Sequence, residues 1–174
     1  MKILDRELID KCLDFAEGHK GKFTILMAKK EDFPENLKKG TPKQQKINKY
    51  VEDGLVTRQI AELMGCTQPN IVEHLRQYKK SVSFYKEWIV FWEFVAPLRQ
   101  TPICAVFDGI LSEDDFSFYS KKGINTIEDF LQLSVTGTAT KMSKILNGLS
   151  SEIKTLLFQR IRERCYDLLT VSNN

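Results

Sequence analysis

The sequence predicts an all-α protein: two short helices crossing at a tight turn, a long aromatic helix after them, and a smaller helical domain at the C-terminal end. Three observations carry that expectation. Apolar residues recur at three- and four-residue intervals in segment after segment. Glycine or proline stands where such a segment ends, and a polar cap residue where the next begins. Hydrophobic residues at 42% and charged residues at 28% of 174 positions give enough apolar surface for a buried core, which excludes a disordered chain.

In chain order, Ile3, Leu4, Leu8, Cys12 and Phe15 repeat at helical spacing, and Gly18 and Gly21 supply a stop. The apolar run 23–28 is too short for periodicity to choose between a strand and a helical turn. Residues 29–40 are charged, contain Pro34 and end in glycine, so they read as a linker or basic arm, and positions 1–40 as a first segment. Its cations Lys29, Lys30, Lys38 and Lys39 could follow a polyanion backbone or simply be solvated. Thr41 and Pro42 then open a helix: the threonine oxygen can accept from free amides, and proline has no amide to leave unpaired at the first helical position. That helix should run to about Asp53 with Ile47, Tyr50 and Val51 on its apolar face, and Gly54 should end it.

Residues 57–76 are the most informative stretch. Ala61 falls where two helices would approach most closely, so only a small side chain fits. Gly65, four residues on, falls where a tight turn needs positive φ. Ile60, Met64, Cys66 and Ile71 are spaced to point inward and fix the crossing. Thr67 can cap the second helix and Pro69 sits in its first turn, so Gln68 and Asn70 should project from a polar N-terminal end. With the helix opened by Thr41 and Pro42 before it, positions 41–80 resemble the helix-turn-helix of bacterial and phage transcription regulators. His74 stands where those proteins often carry an aliphatic residue.

The resemblance implies binding to double-stranded DNA, with the second helix in the major groove and the first across the phosphate backbone. Gln68 and Asn70 carry amides that donate and accept at once, as adenine's N6 and N7 require. Thr57, Gln59, Thr67 and Pro69 flank them, and Glu73 and His74 lie one turn further. Arg58, Arg76, Lys79, Lys80 and Lys43 are the candidates for phosphate contact. Between positions 38 and 80, nine Lys and Arg stand against four Asp and Glu, an excess of five, whereas the whole chain carries only +3.

Phe84, Trp88, Phe91, Trp92 and Val95 continue the pattern as a long aromatic helix, with Tyr85, Ile89 and Phe94 widening its apolar stripe. It closes a domain at 41–96 and is expected mainly as core, with any exposed part the natural surface for a homodimer. A helical domain for self-association or protein contact follows at 103–174. In it, Ser112 with the acids after it reads as a helix cap, Thr126 and Asp129 as a capping box, 136–140 as a small-residue loop, and Ser150, Ser151 and Glu152 as the start of a last helix. Residues 116–131 with 146–153 weakly resemble the helix-hairpin-helix C-terminal domain of the bacterial RNA polymerase α subunit. That family follows its second-hairpin glycine with basic residues, whereas Gly148 here precedes Leu149, Ser150 and Ser151.

Other function classes find little support. Cys12, Cys66, Cys104 and Cys165 have neither zinc-ligand nor redox spacing, and His19 and His74 have no cysteine nearby. No P-loop, dinucleotide glycine pattern or HExxH occurs, so neither enzyme activity, nor a cofactor, nor a metal is expected. The acidic N-terminus lacks the apolar run of a leader, and the apolar stretch 88–98 is too short to span a bilayer, which implies a cytoplasmic protein with no membrane partner. The expected function is a sequence-specific regulator acting as a repressor. Its rivals are a sigma-like factor associated with RNA polymerase and a DNA replication or processing accessory protein.

Overall fold

Side-chain caps at Thr41, Ser112, Thr126 and Ser150 open helices in this chain, and the computed structural model describes residues 4–18, 27–132 and 149–172. The described helices are α1 (Arg6–Gly18), α2 (Glu35–Lys38), α3 (Pro42–Glu52), α4 (Thr57–Met64), α5 (Gln68–Phe94), α6 (Ala96–Arg99), α7 (Ile103–Val106), α8 (Glu113–Lys121), α9 (Ile127–Gln132) and α10 (Ser151–Ser172). A 3₁₀ turn, Lys30–Asp32, precedes α2. The all-α class is therefore observed: among the described residues the only strand-like feature is an isolated bridge between Pro102 and Thr126. No described helix is long and apolar enough to cross a membrane. Ile3, His19, Gly21, positions 23–26, the small-residue loop 136–140 and positions 146–148 lie outside the described residues; Met27 and Ala28, at the end of the ambiguous apolar run, are helical and buried.

The chain divides into two compact units, Phe33–Ile89 and a second formed by Met1–Asp32 together with Val90–Asn174. The sequence suggested three consecutive segments, 1–40, 41–96 and 103–174. Grouping both chain ends into one unit is a tertiary event that helical periodicity does not encode.

In the unit that joins the chain ends, α1 buries Leu8, Ile9, Cys12, Leu13 and Ala16, and α10 buries Leu157, Ile161 and Cys165. Arg162 of α10 reaches Asp10 at 3.1 Å, Asp14 at 3.0 Å and Glu17 at 3.1 Å, all on α1. Tyr166 also donates to Asp10, and the Arg6 guanidinium lies 4.3 Å from the centre of the Tyr166 ring. One cation thus gathers three carboxylates along one side of a helix, while the apolar sides meet beneath. Buried Arg99 donates to the Trp92 carbonyl and lies against that indole ring, its centroid 3.7 Å away; burial lowers its pKa.

The α8 and α9 pair forms where the sequence placed it. Ser112 and Asp115 exchange a capping box, Asp115 N–H to Ser112 Oγ at 3.2 Å and Ser112 N–H to Asp115 Oδ2 at 2.9 Å. Thr126 and Asp129 do the same at 3.2 and 2.9 Å, aspartate reaching back as glutamate usually does. Burial raises the Asp129 pKa, yet the amides of Asn125 and Thr126 and the Thr126 hydroxyl outweigh it and hold the carboxyl low. Ser150 Oγ likewise accepts from Ile153 N–H at 3.2 Å at the start of α10.

In the unit Phe33–Ile89, the stretch expected as a linker or arm is instead structured. Phe33 is 1% exposed, with Phe84, Tyr85 and Trp88 rings at 6.2, 4.9 and 5.6 Å. Gly40 lies so close to Tyr78 that a Cβ there would come within 2.5 Å of the ring. Lys38 and Lys39 both pair with Glu35, at 2.9 and 3.2 Å. One phenylalanine in a charged stretch is too weak a periodic signal to announce this packing. The aromatic helix is one continuous element with the helix starting at Gln68, and its Trp88 and Phe91, with Val95 just beyond its end, are wholly buried, in the core role expected of them.

Candidate nucleic-acid interface

The three helices α3, α4 and α5 meet over a small core of Ile47, Ile60, Ala61 and Ile71, with Tyr50, Leu55, Met64, Cys66 and Leu75 packed around it. The start of α3 is fixed by a complete capping box: Gln44 N–H donates to Thr41 Oγ1 at 3.3 Å, and Thr41 N–H to Gln44 Oε1 at 2.9 Å, with Pro42 at the first helical position. Gln44 is consequently buried, whereas Val51, expected on the apolar face, is 41% exposed.

Both connections end in the same hydrogen-bonded turn. After α3, Leu55 N–H reaches back to the Tyr50 carbonyl and Gly54 N–H to that of Val51, both at 3.0 Å. After α4, Cys66 N–H reaches Ala61 at 3.0 Å and Gly65 N–H reaches Glu62 at 3.3 Å. This Schellman pattern requires a left-handed residue, and Gly65 supplies it at φ 65° and ψ 36°. A Cβ on Gly65 would meet nothing within 4 Å, so the turn selects glycine for its backbone and not for space. Ala61, 5% exposed, is buried in the small core with Ile71.

The crossing turns Ile71 fully inward and leaves Thr67, Gln68, Pro69 and Asn70 exposed together at the start of α5. Lys43, from the first turn of α3, reaches this end: its Nζ lies 3.4 Å from Asn70 Oδ1. Lys79 and Lys80 are exposed two to three turns further along α5.

The other candidates are partly engaged within the chain. Gln59 Oε1 accepts from Val56 N–H at 3.0 Å, closing the start of α4, where half-buried Thr57 is the first residue. Arg58 pairs with Glu62 at 3.3 Å. Glu73 takes two bonds from Arg76, at 2.8 and 2.7 Å, and a third from Gln77 at 2.8 Å. The Arg76 bonds, then that of Gln77, pull the Glu73 pKa down to about 2. Arg76 therefore faces outward already neutralised by an acid one turn back. His74 is half-buried, its Nδ1 shielded from solvent with no hydrogen-bond partner, so it belongs with the inner flank of α5 rather than with the outward readers.

Sequence reasoning passed over three exposed apolar residues in this unit: Val56 and Leu63, each 61% exposed, and Val72 at 53%. Val72 was findable, because the residue after an inward Ile71 lies about 100° around the helix, away from the core. Among the described residues no group of three His, Cys, Asp or Glu side chains could hold a metal ion. Cys12 and Cys165 are buried, and burial pushes the Cys165 thiol up to about 12.

No family model, curated protein or solved structure matches the chain.

Proposed function

We propose that the chain is a sequence-specific double-stranded-DNA-binding regulator of transcription, acting in the cytoplasm as a repressor where its site overlaps a promoter. The observation that supports this reading best is the α4–α5 crossing. Buried Ala61 and left-handed Gly65 at the turn leave the exposed Thr67, Gln68, Pro69 and Asn70 at the start of a helix 27 residues long. In helix-turn-helix proteins that end of the second helix enters the major groove. Gln68 and Asn70 are the base readers, each able to pair with adenine. Lys43, Lys79 and Lys80 contact phosphates and supply the sequence-independent affinity. A second copy of the chain supplies the symmetric half-site, because the reading end of a single helix buries little surface.

Selection from random duplexes with the full chain, followed by titration of the selected site at several salt concentrations, tests the proposal. Gln68→Ala or Asn70→Ala should cost about 1 to 3 kcal/mol on the selected site and relax its sequence preference, whereas Lys79→Ala or Lys80→Ala should weaken all duplexes alike. Mass measurement of the bound complex reports the stoichiometry. Failure to bind any duplex at low salt ends the reading, and binding without sequence preference moves the chain to a replication or processing role.

A further inference from the structure

We infer that Val72 is a specificity-determining residue that reads the C5-methyl group of a thymine; the inference rests on the DNA-binding reading above and adds to it an apolar contact. Val72 is 53% exposed, although Ile71 beside it is wholly buried and Leu75 is packed against the same core. Within Gln68–Phe94 it is the only large hydrophobic residue so exposed. Core packing therefore does not account for it. Helix propensity does not either, since a β-branched side chain is a poorer choice on an exposed helix face than alanine, lysine or glutamate.

Its neighbours give it a use. Residues 68, 72, 76 and 79 follow one another at four-, four- and three-residue intervals, so Gln68, Val72, Arg76 and Lys79 lie along one stripe of α5. Val72 stands about 6 Å along the axis from Gln68 and about 6 Å from Arg76, roughly two base-pair steps on either side at 3.4 Å per base pair. A major-groove edge about two base pairs from the one Gln68 reads thus faces a short, branched, apolar side chain that can neither donate nor accept. The only apolar feature on a base edge in that groove is the thymine methyl group. Guanine, cytosine and adenine present polar atoms there, which Val72 would leave unpaired.

The experiment uses the full chain and its selected site, and removes the methyl group from the DNA. Each thymine of the site is replaced singly by deoxyuridine, which keeps base pairing and deletes only the C5-methyl. One such replacement, about two base pairs from the position read by Gln68, should weaken binding about fourfold, the scale of one buried methyl group. Val72→Ser should weaken the unmodified site by a similar factor and abolish the difference between thymine and deoxyuridine there, with thermal unfolding unchanged. A site bound with clear preference yet indifferent to every replacement overturns the assignment to Val72 and leaves the DNA-binding reading standing, as does a Val72→Ser protein that still distinguishes thymine from deoxyuridine. Absence of binding to any duplex overturns both.

Discussion

At Gly65 the backbone alone demands glycine, whereas at Gly40 backbone and space demand it together. Gly65→Ala places a Cβ in open space but at φ 65°, and the left-handed conformation of an L-residue should cost about 1 to 2 kcal/mol. Gly40→Ala meets a comparable conformational cost at φ 77° and must also displace the Tyr78 ring from 2.5 Å. Urea unfolding should therefore rank Gly40→Ala as the more damaging; equal losses would mean the ring moves freely. The turn glycine at 65 was legible because a tight helix turn has a fixed local chemistry, but the contact at 40 was not, since Tyr78 lies 38 residues away in sequence. Glu73 carries the second residue-scale consequence. Its folded pKa of about 2 lies below the ordinary value of 4.5 for a glutamate, so whatever the pair contributes is present above about 4.5 and lost as pH falls through about 2. At neutral pH the carboxylate is ionised and opposes Arg76. Glu73→Gln should then strengthen binding to any duplex and steepen the salt dependence by about one counterion. A slope identical to that of the parent protein, measured by anisotropy over a salt series, would refute an outward role for Arg76.

Helix starts are the elements that the sequence encodes most completely, because a cap and its reciprocal partner lie within four residues. Thr41 with Gln44 is an example, and Thr41→Ala should cost about 1 kcal/mol by removing an acceptor and exposing the buried Gln44 to an unpaired state. Thr41→Ser, which keeps the oxygen, should restore most of it in the same denaturation experiment. The boundaries at Ser112, Thr126 and Ser150 were legible for the same reason. The continuity of α5 was less so: the sequence separates a polar reading end from an aromatic end, yet no glycine or proline interrupts positions 70–94, and the structure joins them. His74 is the point where local pattern and packing disagree. A histidine on the inner flank leaves Nδ1 shielded without a partner, so His74→Leu should stabilise the protein by about 1 kcal/mol or more, read as a raised unfolding midpoint. A lowered midpoint would show that the ring is held by something an aliphatic side chain cannot replace.

At the scale of the whole molecule, charge is divided unevenly and does different work in the two units. The excess cations of positions 38–80 lie in the unit Phe33–Ile89, where Lys43 reaches the exposed start of α5, Lys79 and Lys80 stand exposed further along it, and all three have an external use if that helix meets phosphates. In the other unit the dominant cation is used internally: Arg162, with a side chain 24% exposed, holds Asp10, Asp14 and Glu17 of α1. Neither half of this cluster announces the other, since 145 residues separate Glu17 from Arg162, and only the closed fold brings them together. Arg162→Met keeps the length of the side chain but leaves three carboxylates facing one another, which should cost about 1 to 2 kcal/mol, between the worth of an exposed pair and that of a buried one. Because the new repulsion is between largely exposed charges, added salt should recover part of the loss, whereas loss of apolar packing would not respond. Unfolding of Arg162→Met at low and high ionic strength therefore separates the two origins of stability at the α1–α10 contact, and a deficit unaffected by salt would assign the role of Arg162 to its methylene stem.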